Sequence, residues 1–439
     1  MVRINKIVRA FTHAGARAKR FTPEMELKRA LMNCLLWEDQ FYEDGVAIAE
    51  RIKMLVPLVE PKRVAALAID ARERMKLRHA PLLVVREMAR HEKHRVLVAD
   101  TLARVIQRPD EMTELLAIYW ADALGPMQQR KKQPISAQIK KGLARAVTKF
   151  DAYQLAKYDR DGAVRIRDVL FLVHAKPKDA EQEKVWKQLV EGELSAPDTW
   201  EVGLSSGSDK RETFERLIAE KKLGGLALLR NLRLMQKAEV PRETIAGAIE
   251  AMRVDRILPY RFITAARYAP DFEPELESAM LKSIKDHARL KGRTRLLIDV
   301  SGSMDTALSR QSEMTRLEAA CGLAILAREI CEKVEIFTFS NDVAKIPPRR
   351  GFALRDAIVA SQPHAGTYLG KAVKQVDLRG DRLIVFTDEQ SHDKVESPLG
   401  LAYMINVASN QHGVGNGPWR RVDGFSEAVI AWIAASEQG

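Results

Sequence analysis

The chain has 439 residues, more than one typical hydrophobic core encloses, and its 46% hydrophobic and 30% charged residues describe a globular chain, not a disordered one. No run approaches the roughly 18 consecutive apolar residues of a membrane helix, so a soluble protein with no membrane partner is expected. The net charge of +12 is uneven: residues 291–439 hold 18 Lys+Arg against 18 Asp+Glu, leaving 53 against 41 in residues 1–290. A basic part beside a neutral one fits a polyanionic partner, whose phosphates release counterions on contact, and charge alone fits a merely solvated surface equally well.

In chain order, the first 23 residues carry Arg3, Lys6, Arg9, Arg17, Lys19 and Arg20 and no acid. They imitate a mitochondrial transit segment but lack serine, and are read as a basic arm of the mature protein. The three cysteines, Cys34, Cys321 and Cys331, form no C-x-x-C pair, which suits a reducing cytoplasm. From Thr22 to about Lys285 apolar residues recur at helical spacing, as in Leu27, Leu31 and Leu35 or Leu223, Leu226, Leu229 and Leu232. So long an α-helical span exceeds one bundle core. Helix pairs of the HEAT type, stacked into a solenoid or ring, are predicted, although no strict sequence period is present.

His91 and His94 lie three apart on a helix face with no further ligands to complete a zinc set, and are read as solvent-facing. The densest basic stretch starts at Arg130-Lys131-Lys132. It continues through Lys140, Lys141, Arg145, Lys149, Lys157, Arg160, Arg165 and Arg167 to His174, Lys176 and Lys178, with Tyr153 and Tyr158 interleaved. Cations with a few aromatics suit phosphates plus an unstacked base, though charge runs are usually solvated helix faces. Gly203-Leu204-Ser205-Ser206-Gly207 matches the G-x-S-x-G nucleophile elbow in letters. That elbow needs a buried strand before it, and here it lies among helices, so a catalytic Ser205 is rejected.

After Lys291-Gly292-Arg293 the pattern changes. Thr294 to Val300, Val334 to Ser340, Arg382 to Asp388 and Leu401 to Ala408 read as strands, with helices over Arg316 to Glu332, Leu369 to Val376 and Phe425 to Ser436. Strands alternating with helices predict a mostly parallel, doubly wound sheet whose ligands bind at the carboxyl ends of the strands. The polar motifs fall there. Asp299-Val300-Ser301-Gly302-Ser303 follows the first strand, Thr367 lies on another loop, and Asp388 ends the strand from Arg382. Hard oxygen ligands with few acids describe a site for Mg²⁺ or another divalent cation. Taken alone, D-x-S-x-S is as readily a turn whose serine caps a helix. Gly366 to Lys371 has three residues between its glycines where a phosphate loop needs four, and is discounted.

With Thr367 and Asp388 in order at the ends of the right strands, the constellation resembles the metal-ion-dependent adhesion site of von Willebrand A domains. The resemblance implies Ser301, Ser303 and Thr367 as direct ligands, Asp299 and Asp388 binding directly or through water, and an open position for an acidic partner residue. The segment from Ala156 to Asp168, continuing to His174-Ala175-Lys176-Pro177, resembles the central motif of the Ro autoantigen or TROVE family. Further similar segments run from Asn33 to Tyr42, Leu226 to Leu232 and Leu258 to Phe262. The family's usual Gly-Trp-Ser-His run is Ala163-Val164-Arg165-Ile166 here, losing an aromatic and a His and gaining Arg165.

The resemblance implies a HEAT-like repeat domain over residues 1–290, forming a monomeric ring closed by a von Willebrand A domain over 291–439. It implies binding of small Y-like noncoding RNA and of single-stranded ends of misfolded RNA, in ribonucleoprotein assembly or RNA quality control. RNA contacts are expected from Lys140, Lys141, Lys149, Lys157, Tyr158, Arg160, Arg165, Arg167, His174 and Lys176, with no catalytic residue. An RNA-processing enzyme or acidic protein is the expected further partner. The rival is a cation-dependent protein-interaction module without RNA. A nuclease at the Asp299/Asp388 metal is disfavoured, because hydroxyls stand where two-metal chemistry needs clustered acids.

Overall fold

A computed structural model of the protein describes residues 22–32, 45–75, 77–120, 134–162, 164–255, 257, 259–285, 289–307, 314–407, 414 and 418–423, and positions 429, 430, 433, 434 and 437. The basic arm, the Arg130 cluster, the whole Asn33 to Tyr42 segment and most of the Phe425 to Ser436 helix lie outside the described residues. The described chain divides into two compact units, one ending at Ser208 and one beginning at Asp209.

The first unit is helical: α1 (Pro23–Met32), α2 (Gly45–Leu55), α3 (Pro61–Glu73), α4 (His79–Arg90), α5 (Glu92–Val105), α6 (Asp110–Trp120), α7 (Ala137–Val147), α8 (Ala152–Tyr158), α9 (Ile166–Val173), α10 (Ala180–Glu191) and α11 (Trp200–Ser205). Starts follow local chemistry. Pro61 opens α3 behind Glu60, whose Oε2 accepts from Arg63 N at 3.0 Å, and Asp151 and Gln154 form a capping box on α8. Successive helices pack on neighbours one and two along the chain, α3 on α4 and α5, α4 on α5 and α6, α5 on α7, α7 on α9, as stacked helical repeats do. A buried ion pair stitches three of them. Arg72 of α3 donates to the Val105 carbonyl (3.1 Å) and to Glu111 of α6, whose Oε2 also accepts from Gln107 N (2.7 Å).

One expectation is corrected here. His94 is not solvent-facing: it is buried with Nε2 3.2 Å from the Val59 carbonyl, and burial foremost lowers its pKa. The reason is local, since His94 lies on the face of α5 that also buries Val98, Thr101 and Leu102. Ser205 closes the short helix α11 with its Oγ on the Val202 carbonyl (3.1 Å), where a nucleophile elbow would need a preceding strand.

The second unit begins with α12 (Lys210–Ala219), α13 (Gly225–Lys237), α14 (Arg242–Ala251), α15 (Pro259–Tyr268) and α16 (Glu273–Ile284). It continues as β1 (Leu290–Asp299), α17 (Arg316–Ile330), β2 (Cys331–Phe339), β3 (Val343–Ile346), α18 (Gly351–Val359), α19 (Leu369–Val376), β4 (Arg382–Thr387), β5 (Leu401–Asn406) and β6 (Arg420–Asp423). The secondary structure changes at Leu290, as the sequence indicates, but the compact unit starts at Asp209. The cause is packing: α15 rests on α17 and α16 on α18. Phe352 N donates to Glu277 Oε2 (2.9 Å), and Arg267 pairs with Glu318 (3.1 Å).

The described strands form a six-stranded sheet in the order β3-β2-β1-β4-β5-β6, parallel except for β2 with β3. Every residue of β4 is buried, as a central strand covered on both faces requires, and each large apolar side chain there contributes about 1.5–3 kcal/mol. Strand order runs outward from β1 in both directions. The loops after β1 and β4 therefore diverge at a topological switch point, where open sheets leave a crevice.

Candidate functional site

At that crevice Asp299, the last residue of β1, is fully buried and used on both oxygens. Its Oδ1 accepts from Ser301 N (2.9 Å) and Ser301 Oγ (2.6 Å), and its Oδ2 from Thr387 Oγ1 (2.6 Å). Ser301 Oγ is 3.3 Å from Ser303 Oγ. Gly302 N donates to the Ala365 carbonyl (3.0 Å), fastening this loop to the one that carries Thr367. His392 then ties the Thr367 loop to the loop after β4: Thr367 N donates to His392 Nδ1 (3.1 Å), and His392 N donates to the Thr367 carbonyl (2.8 Å). Asp388, also fully buried, accepts from Gln390 N (3.2 Å) and from Arg316 Nη1 (3.0 Å). Arg316 donates in addition to the Ser303 carbonyl (3.3 Å). All five sequence-predicted ligand positions are thus held on three loops bonded to one another.

Electrostatics shape this site more than apolar packing does. Burial, and next the charge of Asp388, push the Asp299 pKa up from 3.8 to about 7 against the hydrogen bonds from Ser301 and Thr387. The neighbouring buried Glu389, at φ 58°, is matched by Arg421 (2.7 Å). Arg316 pairs with the Asp388 carboxylate at 3.0 Å. An all-oxygen donor set of two carboxylates and three hydroxyls suits a hard divalent cation.

Sequence reading missed Thr387, Arg316 and His392. Arg316 had a signal. It is the first residue of α17 after the capping Thr315, where the helix dipole disfavours a cation, so an outside carboxylate was to be expected.

In the first unit the basic segment resolves into distinct roles. Arg167, Phe171 and His174 follow one another along the outward face of α9 at spacings of four and three, while Ile166, Val169, Leu170 and Val173 are buried. Phe171 is 61% exposed and was not singled out from the sequence; Tyr153 on α8 is 45% exposed. His174 is exposed and closes α9 in the left-handed region at φ 51°, so it is not a core residue. Lys157 Nζ sits 5.8 Å from the Tyr153 ring and 5.9 Å from that of Tyr158. Lys141, Arg160 and Lys176 are exposed, and Lys140 is half-buried.

Three expected RNA contacts are already engaged. Lys149 Nζ donates to the Ala103 and Ile106 carbonyls at the end of α5, and burial lowers its pKa. Arg165 pairs with Asp161, and the Tyr158 ring is covered on one face by Arg108 at 4.5 Å. Among the described residues no cluster of three or more His, Cys, Asp or Glu forms a metal site, Cys321 and Cys331 are buried free thiols, and no helix is long and apolar enough to cross a membrane.

Comparison with known proteins bears on both units. Residues 191–365 match the TROVE domain family, a span that crosses the change from helix to strand at Leu290. No curated protein matches the chain in sequence. The structure is similar to the crystal structure of the Deinococcus radiodurans Ro (RSR) protein, with a TM-score of 0.62 at 20% identity, over 94% of this chain and 99% of that one. At that identity the likeness establishes the fold: helical repeats together with an α/β domain of the von Willebrand A type. The TROVE match supplies the sequence link over residues 191–365, and the chain as a whole has a fold similar to that of the Ro protein.

Proposed function

We propose that this protein is an RNA-binding scaffold that holds a small structured, Y-like noncoding RNA and single-stranded ends of misfolded RNA, for ribonucleoprotein assembly or RNA quality control. The observation that carries the reading is the outward-facing side chains of two successive helices, Lys157 and exposed Tyr153 on α8 and Arg167 with exposed Phe171 and His174 on α9, followed by exposed Lys176, on a chain with a TROVE match. Cations contribute phosphate contacts, and unstacked bases of RNA loops and ends lie on rings. Arg165, Tyr158 and Lys149, being engaged within the protein, are assigned to supporting that face.

Replacing Lys157 and Arg167 together by alanine is expected to flatten the dependence of log affinity on log salt by roughly one to two units, as lost phosphate contacts do. His174→Ser and Phe171→Ala are expected to leave that slope unchanged while weakening the cognate RNA by about 1–3 kcal/mol each, the worth of a stacked base. Filter binding over a salt series reads both. Equal losses for cognate and random RNA, with a lowered Tm, would count against base reading.

For the second unit we propose that Asp299, Ser301, Ser303, Thr367 and Asp388 hold one Mg²⁺. The ion would offer an acidic side chain of a protein partner a coordination position. A purely protein-binding module is the second reading, favoured by that site alone. RNA copurifying with the full chain, seen in its absorbance ratio, separates the two.

A further inference from the structure

The second unit contains a cavity of about 410 Å³ bounded by α16, α17 and the segment before α18, and none of its lining residues belongs to the three metal loops. Its floor is aliphatic, made by Leu281, Ile284 and Ile330. Its rim is cationic, with Lys282, Lys285, Arg289 and Arg350 against one acid, Glu329.

That acid is already matched. Arg350 Nε donates to Glu329 Oε1 (3.1 Å), and Arg328 lies 3.2 Å from the same oxygen. Lys282 reaches the Glu250 carbonyl only at 3.4 Å, and Lys285 and Arg289 are exposed and make no ion pair among the described residues. Three like charges at one mouth repel each other, and an aliphatic floor beneath them stays poorly hydrated. A ligand with a compact anionic end and a flat or apolar body relieves both. The volume lies in the range of small-molecule sites.

We infer that this cavity binds a nucleoside phosphate, its phosphate held by Lys282, Lys285 and Arg289 and its base lying on Leu281, Ile284 and Ile330, with Ser278 available to a polar edge. The phosphate can belong to a free nucleotide or to the terminal unit of a strand. This inference does not rest on the RNA reading of α8 and α9, whose residues lie in the other unit.

The test is calorimetry on the full chain in chelator with AMP, adenosine and inorganic phosphate as probes. AMP is expected to bind saturably and adenosine at least tenfold more weakly. Lys285→Ala with Arg289→Ala should lower AMP affinity tenfold or more with an unchanged Tm, since both side chains are exposed, whereas Asp299→Ala should leave it as it is. Competition by a 5′-phosphorylated oligonucleotide, but not by its unphosphorylated twin, assigns the site to strand ends. Failure of both oligonucleotides to compete, with AMP still bound, assigns it to free nucleotides. AMP binding that is absent, no tighter than adenosine's, or unchanged in the double variant overturns the inference.

Discussion

Replacing Asp299 by alanine is expected to abolish Mg²⁺ binding, with calorimetry registering one saturable ion in the parent and none in the variant. Asp299 holds the β1 loop through Ser301 and the end of β4 through Thr387, so its loss removes a ligand and loosens the loops carrying the others. Unchanged affinity would sink the assignment. The same residue sets a pH dependence. Without metal, the folded protein keeps a proton on Asp299 up to about pH 7, which the unfolded chain releases above 3.8. The raised folded value means that this stabilisation is complete below 3.8 and declines at about 1.4 kcal/mol per pH unit until about 7. A cation requires the carboxylate, so the Tm gain from Mg²⁺ should be small at pH 5 and large at pH 8. Equal gains at both would contradict it, and Asp299→Asn should erase the difference.

Gly370→Ala is expected to destabilise the second unit by about 3 kcal/mol, at the upper end of ordinary overpacking costs. An added Cβ would stand 2.1 Å from the Lys394 carbonyl oxygen and 2.9 Å from Asp393 Oδ2, and the first of these is backbone that cannot swing aside. Asp393 is held there by its own work. Its two oxygens accept from Gly370 N (2.8 Å) and Lys371 N (2.7 Å), capping the start of α19, and these bonds with that from Ser391 outweigh burial and lower its pKa. Displacing the segment 391–394 also moves His392 and with it Thr367, so Mg²⁺ affinity should fall although Gly370 is no ligand. Gly247→Ala is the control. That glycine sits in α14 with nothing within 4 Å, and alanine there should be neutral or stabilising by up to about 1 kcal/mol. Denaturant melts that do not distinguish the two variants would show that the Lys394 contact yields freely.

The strands β1, β2, β4 and β5 were legible because each contains a short apolar run long enough to register. The strands β3 and β6 have four residues each, too few for any period, and α18 begins at Arg350 without a side-chain cap. The five proposed metal positions stood out because D-x-S-x-S is compact and Asp388 stands at the end of a strand, whereas Thr367 lies on the loop between α18 and α19 and follows no strand. Thr387 did not, since threonine in a strand reads as ordinary β preference. The division at Ser208 was hidden for another reason. Periodicity says that α15 and α16 have apolar faces, but not that those faces meet α17 and α18. Likewise Phe171 reads as core by composition, and only the phase of α9 turns it outward.

The hydrogen bond from Thr387 to Asp299 joins residues 88 apart, and β1 is paired to β4 only after α17, β2, β3, α18 and α19 have been laid down between them. Closing so long a loop costs entropy that is repaid only once the parallel neighbours zip together. A growing chain that has emerged as far as β2 carries Asp299, Ser301 and Ser303 but lacks the oxygens of Thr367 and Asp388. Ion capture by the proposed site therefore belongs to the end of folding, where it would act as a latch on the finished sheet and not as a seed for it.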